Sequence, residues 1–158
     1  MHGQERRALS VRQKLNPVRS QIEGKDVLLV DDSIVRGTTS REIVQMVRDA
    51  GARKVFLAIT APPLRCPCVY GIDMMTRGEF VAKNRTIEQI RKVVSADALV
   101  YQTHEGLVEA VAGRPAIANR HSPFAIRSFC TACFNGQYPT GVTRRYLAQM
   151  ERERQRWL

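Results

Sequence analysis

An uninterrupted apolar run that leads into two aspartates and a glycine-hydroxyl turn places the strongest constraint on how this chain folds. The run and the residues after it read Val27-Leu28-Leu29-Val30-Asp31-Asp32-Ser33-Ile34-Val35-Arg36-Gly37-Thr38-Thr39-Ser40. Four consecutive apolar residues predict a strand that is buried on both faces, as in a parallel sheet. The two carboxylates then lie at the carboxyl end of the strand, where open α/β sheets bind their ligands.

The residues after this strand favour a phosphorylated ligand. Gly37-Thr38-Thr39-Ser40 predicts a turn that opens a helix, where hydroxyls and free backbone N–H groups converge on an anion. Asp31 and Asp32 can accept hydrogen bonds from a diol or coordinate Mg²⁺, a hard cation that prefers oxygen ligands. Arg36 either pairs with phosphate or faces solvent. A phosphorylated ribose has groups that fit both ends of the segment. The alternative interpretation involves no ligand: the segment would be a strand end followed by an ordinary helix cap. The Walker pattern is not met, because no lysine follows the glycine.

Strands and helices alternate along the rest of the chain. Apolar runs predict strands over 27–30, 54–60 and 98–102, with a short strand or extended segment over 69–73. The first helix is expected after a cap at Thr38 or Thr39 and to stop at Gly51, and the second after a cap at Thr86. The third is expected to start at 103–106 and to run through Val111, with Gly113 beyond its end. In the second helix the predicted inward residues are Ile87, Ile90, Val93 and Val94. The alternation predicts the α/β class with a parallel sheet.

Composition limits the compartments and partners. No apolar run approaches the roughly 20 residues of a membrane span, and no signal-peptide pattern opens the sequence. We therefore expect a cytoplasmic protein without a membrane partner. The formal net charge is +10, from 25 basic and 15 acidic residues. The excess lies at the two ends, with no reading helix or aromatic platform beside it, so a solvated helical tail is favoured over nucleic-acid binding.

The four cysteines carry a second chemical signal. Cys130-Thr131-Ala132-Cys133 is a C-x-x-C pair, and Cys66-Pro67-Cys68 lies far upstream. Cysteines without a secretory signal favour metal binding over disulfides. Thiolates at these spacings suit an iron–sulfur cluster and tetrahedral zinc almost equally, and reduced, unliganded cysteines remain a third possibility.

The loop resembles the phosphoribosyl pyrophosphate (PRPP) signature of type I phosphoribosyltransferases. Three further segments resemble the amidophosphoribosyltransferase family, which makes 5-phosphoribosylamine from glutamine and PRPP in the first committed step of purine synthesis. These segments are Ser10-Val11-Arg12-Gln13-Lys14-Leu15-Asn16-Pro17, Val69-Tyr70-Gly71-Ile72-Asp73-Met74 and Cys130-Thr131-Ala132-Cys133-Phe134. The resemblance implies Mg²⁺ at Asp31 and Asp32, and contacts to PRPP from Asp31, Asp32, Ser33, Arg36, Gly37, Thr38, Thr39 and Ser40. Ammonia would attack ribose C1 as pyrophosphate leaves, and purine nucleotides would be feedback inhibitors.

The resemblance also bears on the cysteines. Members of one branch of the family hold a 4Fe–4S cluster, and Cys68, Cys130 and Cys133 match three of its ligands. The fourth ligand of that branch lies in an amino-terminal part that has no counterpart here. Cys66 matches no family ligand, but its proximity in sequence makes it a candidate replacement.

The resemblance divides the chain into three parts. Residues 1–24 match the trailing part of a mobile active-site loop and a linker, 25–113 a partial phosphoribosyltransferase domain of type I fold, and 114–158 a cysteine-bearing segment with a basic helical tail. We expect the family's glutaminase domain and first transferase half to be missing from this chain. We therefore expect no independent activity, and association through an exposed sheet edge with the missing half or with another copy. Two alternative functions remain. One is a nucleobase-salvage phosphoribosyltransferase, which the cysteine matches disfavour, and the other is a non-catalytic module that binds PRPP or a nucleotide.

Overall fold

A computed structural model describes residues 15–71, 77–112 and 128–155. Residues 1–14, which hold most of the predicted active-site loop, lie outside the described residues, as do 72–76 and 113–127. The elements in chain order are α1 (Arg19–Ile22), β1 (Asp26–Asp31), α2 (Thr38–Asp49), β2 (Lys54–Ile59), a 3₁₀ turn (Arg77–Glu79), α3 (Ile87–Val94), β3 (Ala98–Tyr101), α4 (His104–Ala112), α5 (Ala132–Asn135) and α6 (Arg144–Gln155).

The three strands form one parallel sheet in the order β1-β2-β3. Asp31 at the end of β1 is in register with Ile59 of β2, which is in turn in register with Tyr101 of β3. The carboxyl ends of all three strands therefore meet at one edge. The predicted α/β class and parallel sheet are confirmed, whereas the described residues 69–71 form no strand.

Helices α2 and α3 cover one face of the sheet. Val44 of α2, Val55 of β2, and Ile90 and Val94 of α3 are 0% exposed. Thr86 caps α3 as predicted: its hydroxyl accepts the Gln89 N–H, and the Gln89 side chain accepts the Thr86 N–H. This reciprocal pair satisfies two amides at the start of the helix.

The opposite face of the sheet is exposed, so the predicted burial of β1 on both faces is wrong within the described residues. Leu28 and Val30 of β1 are 61% and 65% exposed, and Val100 of β3 is 63% exposed. Side chains alternate between the faces of a strand, and the two neighbouring helices both pack on the other side. Burial was also overestimated on α3, where Ile87 is 45% and Val93 is 37% exposed.

The carboxyl-terminal segment packs on a second, smaller cluster. Leu64 and Phe80 are buried there, and Cys68, Cys133 and Phe134 pack against them. Helix α6 confirms the predicted helical tail and buries Leu147. Among the helices described, none is long and apolar enough to cross a membrane.

Candidate functional site

The two aspartates lie where β1 ends. The ladder to the neighbouring segment continues past the strand, because the Thr60 and Ala61 N–H groups donate to the carbonyl oxygens of Asp31 and Asp32, both at 3.0 Å. Asp31 is partly buried and Asp32 is exposed. These hydrogen bonds thus fix the backbone at this strand end, where Asp32 remains exposed.

One oxygen of each of the two aspartate carboxylates already accepts a hydrogen bond. Oδ1 of Asp31 accepts the Asp32 N–H at 2.9 Å, and Oδ1 of Asp32 accepts the Ser33 hydroxyl at 2.8 Å. These contacts orient both groups, and within the described residues no hydrogen bond occupies either Oδ2. Mg²⁺ is commonly held by one or two carboxylates together with substrate phosphates. The pair therefore suits such an ion or the hydroxyls of a sugar.

Helix α2 begins with free amides. Gly37, in the left-handed conformation at φ 80°, is the N-cap and has no side chain to cap the helix, and no described side chain takes its place. The predicted cap at Thr38 or Thr39 is therefore wrong, because both residues are already helical. Thr38 is partly buried, Thr39 is exposed and Ser40 is 5% exposed. First-turn N–H groups without a side-chain cap form a ready anion site.

Packing against α3 and against Val81, which precedes it, holds the loop in place. Ile34 is 2% exposed in the main core, and the Val35 carbonyl accepts the Val81 N–H at 2.7 Å. A Cβ built on Gly37 would lie 3.2 Å from Val81 Cγ2 and 3.5 Å from Val94 Cγ1. A side chain at this position would combine backbone strain with crowding, so both the conformation and the close approach call for glycine.

The Arg36 guanidinium forms an ion pair with the Glu79 carboxylate. Their side chains are only 17% and 27% exposed, so the expectation that Arg36 might simply face solvent is wrong. Its contact with PRPP stays a prediction. Sequence reasoning missed Glu79, which lies 43 positions from Arg36 with no local pattern to link the two.

A cavity of about 290 Å³ opens beside the loop. It is lined by Arg36, Thr38, Gly78, Glu79, Phe80, Val81, Arg85 and Val93. Arg85 donates to the Val81 carbonyl at 3.0 Å. The two cations of the cavity, Arg36 and Arg85, thus bind Glu79 and Val81 beside the loop, and we assign the cavity a supporting role.

Cys68 and Cys133 pack in the smaller cluster, which Val35 of the loop also joins. The Arg65 and Cys66 N–H groups both donate to the Cys133 carbonyl, at 2.9 and 3.0 Å. This joins the Cys66-Pro67-Cys68 segment to α5. The Tyr138 hydroxyl donates to the Pro67 carbonyl at 2.7 Å, an anchor that the sequence did not suggest.

All four thiols are free. Burial raises the pKa of Cys133, its own backbone contact lowers it, and the nearby thiols of Cys130, Cys68 and Cys66 raise it further. Cys68 and Cys133 pack in the same smaller cluster, against Leu64 and Phe80. In the described part of the chain, however, no group of three or more Cys, His, Asp or Glu side chains is arranged to hold a metal ion.

The comparisons with known proteins agree with one another. An amidophosphoribosyltransferase of Methanocaldococcus jannaschii is 51% identical over 140 residues, which are 89% of this chain and 27% of that protein. The Pseudomonas aeruginosa enzyme of the same name is 46% identical over 155 residues, 98% of this chain and 29% of that protein. The chain therefore spans little more than a quarter of the length of these relatives. No protein-family model matches it.

Solved structures give the same answer. The glutamine PRPP amidotransferase of Bacillus subtilis, in complex with ADP and GMP, superposes with a TM-score of 0.65 at 41% identity, covering 83% of this chain and 28% of that one. A structure described as the allosteric regulatory enzyme of purine biosynthesis gives a TM-score of 0.67 at 40% identity, over 84% of this chain and 28% of the other.

Fold and loop together define part of a type I phosphoribosyltransferase. Parallel strands, paired aspartates at a strand end and an uncapped helix start are all present in the described residues. Sequence identity then narrows the class. The chain is similar to one part of the amidophosphoribosyltransferases, at 46–51% identity over little more than a quarter of their length.

Proposed function

We propose that the segment from Asp31 to Ser40 binds PRPP together with Mg²⁺, and that this chain is the PRPP-binding part of an amidophosphoribosyltransferase. The observation that carries the proposal is the placement of two oriented carboxylates and an uncapped helix start at opposite ends of one fixed loop. A ribose with its 5′-phosphate has the matching groups at its own two ends.

Each part of the loop has a task in this proposal. The amides and hydroxyls at Thr38 and Thr39 bind the 5′-phosphate, while Ser40, which is 5% exposed, lies beneath them and contributes mainly through its backbone. Asp31 and Asp32 accept hydrogen bonds from the ribose hydroxyls and would hold Mg²⁺, which supplies charge neutralisation to the pyrophosphate when bound. The loop thus orients ribose C1 for attack by ammonia derived from glutamine.

The same loop is suited to purine nucleotides. A nucleoside monophosphate carries the ribose hydroxyls and 5′-phosphate that the loop would recognise, and the Bacillus subtilis relative was solved with ADP and GMP. Competition between these nucleotides and PRPP would then provide feedback inhibition. If the chain binds PRPP and nucleotides but takes no part in forming phosphoribosylamine, the alternative function of a non-catalytic binding module applies.

The exposed face of the sheet supports a requirement for a companion. Its side chains form two apolar rows, because Leu28 is in register with Phe56 and Ala98, and Val30 with Ala58 and Val100. Contiguous apolar surface of this kind marks an interaction site. We propose that polypeptide equivalent to the remainder of the relatives covers it, and that phosphoribosylamine forms only in the combined protein.

Calorimetric titration of the chain with PRPP, in Mg²⁺ and then in excess chelator, tests the binding proposal. We expect saturable binding in Mg²⁺ that weakens at least about tenfold, or 1.4 kcal/mol, in chelator and in Asp31→Asn or Asp32→Asn. Asp49→Asn is the matched control, because it makes the same charge change at the far end of α2. Equal affinity for PRPP in the wild type, Asp31→Asn, Asp32→Asn and Asp49→Asn would contradict the proposal.

An enzymatic assay tests whether catalysis requires the companion polypeptide. The purified chain should form no phosphoribosylamine from glutamine and PRPP, whereas mixing it with the complementary part of a relative should restore formation. Turnover by the chain alone would contradict this part of the proposal.

A further inference from the structure

The segment 79–81 lies against the turn that leads into α2. The Val81 N–H donates to the Val35 carbonyl at 2.7 Å, and a Cβ on Gly37 would lie 3.2 Å from Val81 Cγ2. Val35 also packs on the cluster that contains Phe80, which is 1% exposed. All of these contacts are made by backbone groups and apolar side chains. The position of the turn is therefore held by contacts that involve no charge.

The ion pair between Arg36 and Glu79 belongs to the same region of contact. Glu79 Oε1 accepts a hydrogen bond from the Arg36 guanidinium, and the two side chains are only 17% and 27% exposed. Glu79 Oε2 is buried and has no hydrogen-bond partner within the described residues. A carboxylate in such surroundings is costly unless a cation lies beside it. Arg36 thus supplies the counter-charge of Glu79, and Glu79 that of Arg36.

This pair borders the start of α2. Arg36, Glu79 and Thr38, the first residue of α2, line the same cavity of about 290 Å³. The third charged residue of the lining, Arg85, donates to the Val81 carbonyl at 3.0 Å. A phosphate at the first-turn amides of α2 would therefore lie near one positive and one negative side chain. Since the fields of two opposite charges in contact largely cancel at a third group, the pair offers this phosphate little net charge.

We propose that Glu79 is a positioning residue of the phosphate site and acts through Arg36. It holds the guanidinium and neutralises its charge, so that the neutral amides and hydroxyls of α2 set the affinity for phosphate. The inference rests on the proposed binding of PRPP at this loop. Hydrogen bonds from neutral donors are about half as strong as those from a charged group, so a lone phosphate binds weakly. A phosphorylated sugar gains further contacts at the aspartates, and the pair thus disfavours occupation of the loop by free phosphate.

Titration of the full chain with inorganic phosphate, followed by NMR at the amides of 37–40, tests the inference. In Glu79→Gln the Arg36 guanidinium loses its counter-charge, so phosphate should bind about tenfold more tightly, or 1.4 kcal/mol, than to wild type. Glu88→Gln is the matched control, because it removes the same charge from an ion pair with Arg91 that lies outside the cavity lining. It should bind phosphate as wild type does.

A purely structural role for Glu79 predicts the opposite result, since loss of the ion pair would loosen the loop and weaken phosphate binding. Binding of phosphate by Glu79→Gln that is no tighter than binding by Glu88→Gln would overturn the inference.

A double variant keeps the test decisive if Glu79→Gln fails to fold. Arg36→Met combined with Glu79→Gln removes both charges, and replacement of a whole ion pair is tolerated far better than loss of one partner. The double variant should bind phosphate within about threefold of wild type, because the wild-type pair offers no net charge. A larger change would overturn the inference, since it would show that phosphate uses the Arg36 charge in the wild type.

PRPP binding in Mg²⁺, measured on the same preparations, separates this inference from the proposed function. A wild-type chain that fails to bind PRPP contradicts the proposed function. PRPP binding by the wild type, without tighter phosphate binding by Glu79→Gln, contradicts only the role of Glu79.

Discussion

On the helix-covered face of the sheet, Val55, Leu57 and Ile59 are 0%, 3% and 3% exposed, whereas Leu28, Val30 and Val100 on the opposite face are 61%, 65% and 63% exposed. The sequence is equally apolar on both faces. The difference is that α2 and α3 cover one face, whereas the described residues leave Leu28, Val30 and Val100 on the other face largely exposed. The covered face therefore explains how this chain folds and holds its loop, and the exposed face explains its proposed dependence on a companion.

The largest effect is expected where the covered face is most tightly packed. Ile90→Ala removes a side chain that is 0% exposed, which should lower the free energy of unfolding by about 2–5 kcal/mol. Val93→Ala on the same helix is the control, with an expected loss below about 1 kcal/mol because Val93 is 37% exposed. Urea unfolding followed by circular dichroism measures both. Equal losses would mean that the covered face is not the folding core.

The next effect concerns the contact between the ligand loop and the covered face. Gly37→Ala puts a side chain into the left-handed conformation, at a cost of about 1–2 kcal/mol, and crowds Val81. Gly24→Ala is the matched control, since Gly24 has φ 72° with nothing within 4 Å of its added Cβ. We expect Gly37→Ala to be the more destabilising and to be the one that weakens PRPP binding. Identical effects in both assays would show that the contact is unimportant.

A smaller, pH-dependent effect is expected at Asp97, which links β2 to the helices. Its carboxylate accepts the Val55 N–H at 2.7 Å and pairs with Arg48 at 2.8 Å. The Val55 hydrogen bond, followed by Arg48 and Lys54, holds the pKa of Asp97 below its ordinary value despite the opposing effect of burial. The folded pKa is thus lower than the unfolded one, so this stabilisation is present above about pH 4 and lost as pH falls through the folded pKa.

Acid unfolding of Asp97→Asn tests that effect. The variant should lose on the order of 1 kcal/mol at pH 7 and show a shallower fall in stability below about pH 4 than wild type. Asp49→Asn should keep the wild-type slope. A variant slope equal to that of wild type would exclude Asp97 as a source of the acid sensitivity.

The smallest effect on folding is expected on the exposed face. Val30→Thr together with Val100→Thr should change the free energy of unfolding of the isolated chain by less than about 0.5 kcal/mol. The same pair should reduce dye binding to apolar surface and weaken capture of the complementary part of a relative. Val55→Thr, at a fully buried site on the covered face, is the control and should be clearly destabilising. A large loss of stability from the exposed pair would mean that another part of this chain covers that face.

Sequence patterns predicted the helices and strands well, because the residues that determine these elements lie close together in the sequence. The strands at 27–30 and 54–60 agree with the structure to within a residue at each end, and the Thr86 cap has a partner only three residues away. The errors have non-local causes. Apolar runs report which side chains can be buried but not which polypeptide buries them, so Leu28 and Val30 were misjudged.

The candidate site shows the same distinction between local features, which the sequence predicts, and non-local contacts, which it does not. The aspartates and the helix start followed from one continuous segment, whereas the Arg36–Glu79 pair and the packing of Val81 on Gly37 join residues more than 40 positions apart. Similarly, the C-x-x-C pattern identified the cysteines, but the hydrogen bonds to the Cys133 carbonyl that bring Cys66 to α5 have no sequence signature.

Hydrogen–deuterium exchange of the isolated chain, with and without PRPP and Mg²⁺, tests the central claim most directly, because it locates the ligand on the backbone. The account predicts slower exchange at the amides of 32–41, dependent on Mg²⁺ and absent in Asp32→Asn, with no change in α6. Unchanged exchange in 32–41 at saturating PRPP, or protection centred on another segment, would contradict the assignment of this loop as the phosphoribosyl site.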